Sequence, residues 1–227
     1  MNAYLLARQQ QHQNSCGAAA MTVALAELQA EPNTDEAEER VWRRVRGNDE
    51  TWSVPGKLAI TARRDYGIVS GIWQDDEYVQ TIRTALRPEL VAFDVEGHLE
   101  EHETALAHAE ANGVIITRGR HDASTLASLM DQGWRLMPVT VVPAGMQVNL
   151  HYLLGRARQI GGGYALMDPR ENRNRGYLLP ELNAFLFDPA EELRGLRRYL
   201  GITVGVRDYL VVLNEIARQK GGRPGGK

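Results

Sequence analysis

The chain carries one cysteine, Cys16, in surroundings suited to a reactive thiol. The nucleophilic form of cysteine is the thiolate, which a helix start favours through the macrodipole and its free backbone N–H groups. Cys16 opens an apolar run, Cys16-Gly17-Ala18-Ala19-Ala20-Met21, that reads as a buried helix with Asn14 or Ser15 at its N-cap. The plainer alternative is a small buried hydrophobe, the commoner fate of a lone thiol. Acyl transfer through a tetrahedral intermediate also needs donors aimed at the developing oxyanion. Gln10, six residues upstream, is the candidate. Gln9, Gln11 and Gln13 share its loop, so which glutamine serves stays open, and a polar surface loop is the simpler reading.

Such a thiol needs a base, usually histidine. Of the six histidines, His151 alone lies in an apolar strand, Val148-Asn149-Leu150-His151-Tyr152-Leu153-Leu154. A histidine there is ordinarily a satisfied core residue. Hairpin geometry argues for more. A turn centred on Gln159-Ile160 sets His151 opposite Asp168, Leu153 opposite Leu166 and Gly155 opposite Tyr164, all on one face. A carboxylate across from an imidazole fixes its tautomer and orientation. A turn centred on Gly162 would shift that register.

These residues need a scaffold. Helices are expected over 16–28, 35–46, from 55 to 64, and through most of 76–112, where 90–95 is a candidate strand. Extended segments are expected at 67–73, at 113–117 as a buried strand, and at 135–142. A helix capped by Asp122 runs over 122–131, and a hairpin joins 149–157 to 163–167 around Gly161-Gly162-Gly163. Residues 180–199 read as largely helical, 202–206 as a strand, 207–220 as a helix and 221–227 as a flexible tail. Helices first and antiparallel strands later indicate an α+β class. One domain is expected over 1–220, with no linker and no internal repeat.

Gln10, Cys16-Gly17-Ala18-Ala19, His151-Tyr152-Leu153-Leu154 and Met167-Asp168-Pro169 together resemble the double-glycine leader peptidases, papain-like domains that mature bacteriocin precursors. The resemblance spans most of the chain. It implies a papain-like fold, with helices carrying the nucleophile and an antiparallel sheet carrying the other two members. It also implies Cys16 as nucleophile, His151 as base, Asp168 as its orienting partner and Gln10 at the oxyanion. Family domains attached to exporters are shorter and fused to membrane and nucleotide-binding parts. This chain shows neither, nor a phosphate loop ending in Lys-Ser/Thr. The stretch 51–112 is longer than the family's core and reads as a helical insertion.

Two other constellations compete. His98-Leu99-Glu100-Glu101-His102 fits an H-x-x-E-H metal pattern, but in a segment so rich in glutamate that acids beside histidines are expected by chance. Trp42 with Arg43, Arg44 and Arg46 could mark a nucleic-acid surface, yet Glu38 and Glu39 adjoin it and no recognition motif is present.

At 227 residues, 43% hydrophobic and 24% charged, the composition is that of a globular domain, and a net charge of -3 does not suggest nucleic acid. The charge is uneven. Residues 75–110 hold ten acidic against two basic side chains, either a solvated helical face or a surface that selects basic partners. A lone cysteine excludes an internal disulfide and fits a reducing compartment. No apolar run reaches bilayer length and no secretory signal is read, so a cytoplasmic protein, or one exported without such a signal, is expected. The expected function is a cysteine peptidase acting on a peptide or protein, without cofactor, metal, nucleic acid or membrane. A deamidase, transglutaminase or other acyl transferase, as papain-like bacterial effectors can be, would use the same thiol. A catalytically dead binding module is disfavoured because no member of the site is missing.

Overall fold

The computed structural model describes residues 6–50, 52–87, 90–91, 93–158 and 161–208. The Gln159-Ile160 turn and nearly all of the expected 207–220 helix and 221–227 tail lie outside those residues. The architecture is α+β, with helices on both faces of a mostly antiparallel sheet.

Five helices come early: α1 (Cys16–Glu27), α2 (Asp35–Val45), α3 (Pro55–Tyr66), α4 (Tyr78–Ala85) and α5 (Val95–Ala111). Strand β1 (Val69–Gln74) lies between α3 and α4, and β2 (Ile115–Arg118) follows α5. After α6 (Ala123–Asp131) come β3 (Arg135–Ala144), β4 (Gln147–Tyr152), β5 (Leu154–Ala157), β6 (Tyr164–Asp168) and β7 (Arg173–Tyr177). Then α7 (Leu179–Phe187) leads through β8 (Pro189–Ala190) and β9 (Leu196–Arg197), a small ribbon, to β10 (Tyr199–Arg207). The main sheet runs β2-β1-β10-β3-β5-β6-β7, with β4 also paired to β3. Every pairing is antiparallel except that of β1 with β2.

The sheet is covered on both faces. Met137, Val139 and Val141 of β3 and Ile202, Val204 and Val206 of β10 join the helices α1–α5 in one core. Leu136 of β3, Tyr199 of β10 and Val69 and Trp73 of β1 join α6 and α7 in the other. This is the period-2 alternation of a strand, apolar in both phases because both faces are dry. Helix α1, apolar all round, is correspondingly sunk in the first core. Among the described residues no helix is long and apolar enough to cross a membrane.

Several expectations need correction. Residues 188–199 do not continue the α-helix: α7 stops before Pro189, one 3-10 turn forms over Glu191–Leu193, and left-handed Arg194 (φ 55°) and Gly195 (φ 81°) then turn the chain between β8 and β9. The strand at 115–118 is a mostly exposed sheet edge, not a buried strand. No strand forms among the described residues of 90–95. The stretch 51–112 supplies β1, which sits inside the main sheet between β2 and β10.

The hairpin register also differs. Leu154 faces Met167, Gly155 faces Leu166 and Ala157 faces Tyr164, a slip of two residues that leaves each side chain on its expected face. The glycines set it. Gly161, Gly162 and Gly163 take φ of 81°, 67° and 75°, and the Arg158 N–H donates to the Gly163 carbonyl at 2.9 Å. Nor is 149–157 one continuous strand. It breaks at Leu153, whose neighbour across the ladder, Pro138, has no N–H to return to it.

Candidate active site

Cys16 is the first residue of α1 and is 6% exposed. Ser15 occupies the N-cap position, but its hydroxyl makes no capping bond. The Ser15 Oγ instead donates to Glu38 Oε1 at 2.7 Å and accepts the His12 N–H at 3.0 Å. No side chain therefore caps the helix, and the positive end of the α1 dipole lies open beside the thiol. Gly17 brings that helix end close to its support. A Cβ there would stand 2.5 Å from Ser53 Cβ and 3.0 Å from the Tyr152 ring. The Tyr152 hydroxyl in turn donates to the Ser53 carbonyl at 2.8 Å, tying α1, the 53 loop and β4 together.

Glu38 on α2 is fully buried and anchors the loop before Cys16. Besides Ser15, its carboxylate accepts from Arg8 Nη1 at 2.8 Å and from the Gln11 N–H at 2.9 Å. A buried carboxylate persists only when paired and hydrogen-bonded, and this one has three donors. Sequence reasoning passed over Glu38 as one more acid on a charged helix. Its place on the inward face of α2, with Ala37, Val41 and Val45, was the available signal.

His151 lies on β4 and is 2% exposed. Its Nε2–H donates to Asp168 Oδ1 at 2.8 Å, so Nδ1 is the nitrogen left to face the nearby Cys16 thiol. The pair is thus made although the two residues are not cross-strand neighbours: β6 ends at Asp168, and the ladder with β5 does not extend to His151. Asp168 Oδ1 also accepts the Arg170 N–H at 2.8 Å. Burial works against a charged ring at His151, but the Asp168 and Cys16 contacts outweigh it and push its pKa up to about 9. Burial likewise opposes charge on Asp168, and the His151 bond with the Arg170 N–H overrides it, holding the carboxyl below its ordinary value.

Cys16 and His151 open onto a cavity of about 360 Å³ with an apolar wall of Trp52, Phe93 and Leu150. Gln10 does not line it. Its Nε2 donates to the carbonyls of His12 and Gln13 at 2.8 and 2.6 Å, while its backbone N–H donates to the Pro169 carbonyl at 2.9 Å. Gln10 so closes the thiol loop and ties it to the chain just after Asp168. The amides that do line the cavity are those of Gln13, Asn14, Gln147 and Asn149.

A larger cavity, about 650 Å³, lies beyond His98, and among the described residues neither a cysteine nor a serine lines it. His98 and His102 are turned to different partners: Nε2 of His98 meets Asp49 Oδ2 at 3.0 Å, and that of His102 donates to Gln74 Oε1 at 2.9 Å. Among the described residues no group of three or more His, Cys, Asp or Glu is placed to hold a metal ion. Trp42 is buried in the core, and Arg43, Arg44 and Arg46 pair with Glu39, Asp65 and Glu50. That arrangement is a braced helix, not an open basic surface. No family model and no curated protein matches the chain.

Proposed function

We propose that the chain is a papain-like cysteine peptidase acting on a peptide or protein, with Cys16 as nucleophile, His151 as acid and base, and Asp168 as the residue that orients His151. The observation carrying this reading is the 2.8 Å bond from His151 Nε2 to Asp168, which commits one ring nitrogen and leaves the other to the thiol at a helix start. Buried dyads are common as structural elements. This one also has a thiol beside it, and thiol and imidazole line the same cavity.

In the reaction the Cys16 sulfur attacks the carbonyl carbon, and the C=O π electrons move onto oxygen. The α1 N-terminus supplies N–H groups toward that oxyanion, the Cys16 N–H foremost. Collapse of the intermediate breaks the C–N bond, and the proton on His151 Nδ1 goes to the departing amine. Neutral His151 then takes a proton from water, whose oxygen attacks the thioester. The carboxylic acid leaves and the sulfur is restored. Asp168 keeps the Nε2 proton throughout, so the ring holds one orientation across both steps. Gln10 enters as a positioning residue of the thiol loop, through its bonds to His12, Gln13 and Pro169.

Intact-mass analysis of candidate peptides incubated with wild-type and Cys16→Ala protein tests the proposal. Two fragments whose masses add to substrate plus water, absent with Cys16→Ala, are expected. A thiol-dependent deamidation or cross-link without backbone cleavage would replace hydrolysis with acyl transfer to another acceptor.

A further inference from the structure

The His151–Asp168 pair stands between two cavities. Cys16 and His151 line the first, of about 360 Å³; Asp168 lines the second, of about 440 Å³. Val142 and Arg170 line both and so form the ridge where the two meet.

The charges around this ridge are lopsided. Among the described residues no carboxylate lines the first cavity. In the second, Asp168 is engaged by His151, and Glu171 is held by Arg173 and Arg175 at 2.5 and 2.7 Å. Arg198, stacked over the Phe185 ring at 4.8 Å, is already paired with Glu192, which leaves Arg170 as the cation to account for. Among the described residues, no hydrogen bond or ion pair engages the Arg170 guanidinium, whose charge acts at longer range on the Asp168 carboxylate. An exposed arginine without a partner is ordinarily just solvated. Arg170 differs because its backbone is fixed. Its N–H is bonded to Asp168 Oδ1 at 2.8 Å, and the carbonyl of the preceding Pro169 accepts the Gln10 N–H. The root of this side chain is thus set against the catalytic pair. The acidic groups Asp49, Asp94 and Glu100 lie in the other direction, in the cavity beyond His98.

The reaction gives the ridge a polarity. His151 must hand its proton to the leaving nitrogen, so the departing segment of the substrate passes over His151, away from Cys16 and toward Asp168 and Arg170. We propose that Arg170 is a specificity residue that binds an aspartate or glutamate side chain of the peptide, within two residues after the bond cleaved. The proposal rests on the peptidase reading. A guanidinium offers a planar fork of donors matched to a carboxylate, and a partner that arrives with the substrate would occupy it.

The test is digestion of a complex peptide library by wild-type, Arg170→Gln, Arg170→Glu and Cys16→Ala protein, with mass spectrometry reading the residues on both sides of each cut. Wild-type protein should enrich Asp and Glu after the cut about fivefold over the library, near the upper end for a solvent-exposed charge pair. R170Q should flatten that preference, and R170E should replace it with Lys and Arg. Acidic frequencies at library background in wild type, or an acidic preference that survives R170E, overturn the proposal while leaving the peptidase reading standing. A library without a single cut that Cys16→Ala removes sinks that reading, and this inference with it.

Discussion

Besides His98 with its exposed partner Asp49, the described residues hold two histidine–aspartate pairs, and only one of them meets a thiol. His151 Nε2 bonds Asp168 at 2.8 Å; His121 Nδ1 bonds Asp75 at 3.0 Å. Both imidazoles are nearly inaccessible. The second pair is closed on itself. Asp75 Oδ1 also takes the His121 backbone N–H, and Arg197 stands 3.8 Å from Asp75 Oδ2. That carboxylate fastens the chain before α6 to the end of β1. At His151 the second ring nitrogen is left for Cys16, and a cavity opens at the sulfur. A dyad is therefore a fastening until a nucleophile and space for substrate are added. The distances alone would not have separated the two.

The comparison can be broken most sharply at the sulfur. Cys16→Ala should abolish peptide cleavage while moving stability by less than about 1.5 kcal/mol, since it removes one small buried group from a helix that keeps its packing. Activity with a stability near wild type in that variant would mean the thiol is not the nucleophile.

The two aspartates should separate next. Asp168→Ala should lower kcat/KM by about 10²-fold or more, in the range ascribed to acid–base groups, and move the alkaline limb of the activity profile below about 9. Asp75→Ala should instead destabilise the fold by about 2–4 kcal/mol through stranding a buried partner, with kcat/KM of the folded protein little changed. Chemical denaturation and initial rates on both variants decide it. Equal losses of activity would erase the distinction.

Glu38→Gln sharpens the account of the thiol loop. It keeps an acceptor for Ser15 but leaves buried Arg8 with less compensating charge, so a loss of about 1–3 kcal/mol is expected, with slower alkylation of Cys16. An unchanged alkylation rate would make Glu38 a purely structural anchor.

The smallest effects are in pH dependence. Stability from His151, whose folded pKa is raised to about 9, is complete below the unfolded value near 6.5 and is lost as pH rises through about 9. His102 works in the other direction. Burial first, then the Arg118 charge, lower its pKa to about 4, so its contribution is present above about 6.5 and lost as pH falls through 4. Denaturation midpoints should peak between these limbs, and His151→Ala should remove the alkaline one.

Much of this site could be read from the sequence because it rests on local chemistry. An apolar helix opening at Cys16 and the Asp122 cap, whose Oδ1 accepts the Thr125 N–H at 2.8 Å, are decided within a few residues. The nearness of His151 and Asp168 survived a register error because a slip of two keeps side chains on the same face. What escaped depends on distant partners. Ser15 looks like a cap until Glu38, on another helix, claims its hydroxyl. Gln10 looks free until its N–H is claimed by the distant Pro169 carbonyl and its amide folds back onto its own loop. Pro138 was visible all along, but its effect on Leu153 appears only once β3 and its neighbours are paired. The turns around Arg194 and Gly195 were hidden by a helix-forming composition that Pro189 interrupts.

The central claim is that Cys16 and His151 act as one unit, and the most direct test is the rate of iodoacetamide alkylation of Cys16 against pH, in wild-type and His151→Ala protein. The account predicts a single adduct at Cys16 that forms in wild-type protein near neutral pH faster than on glutathione, an advantage lost in His151→Ala. Alkylation in wild-type protein no faster than glutathione's, and unchanged by His151→Ala, would contradict it and return Cys16 to the buried core.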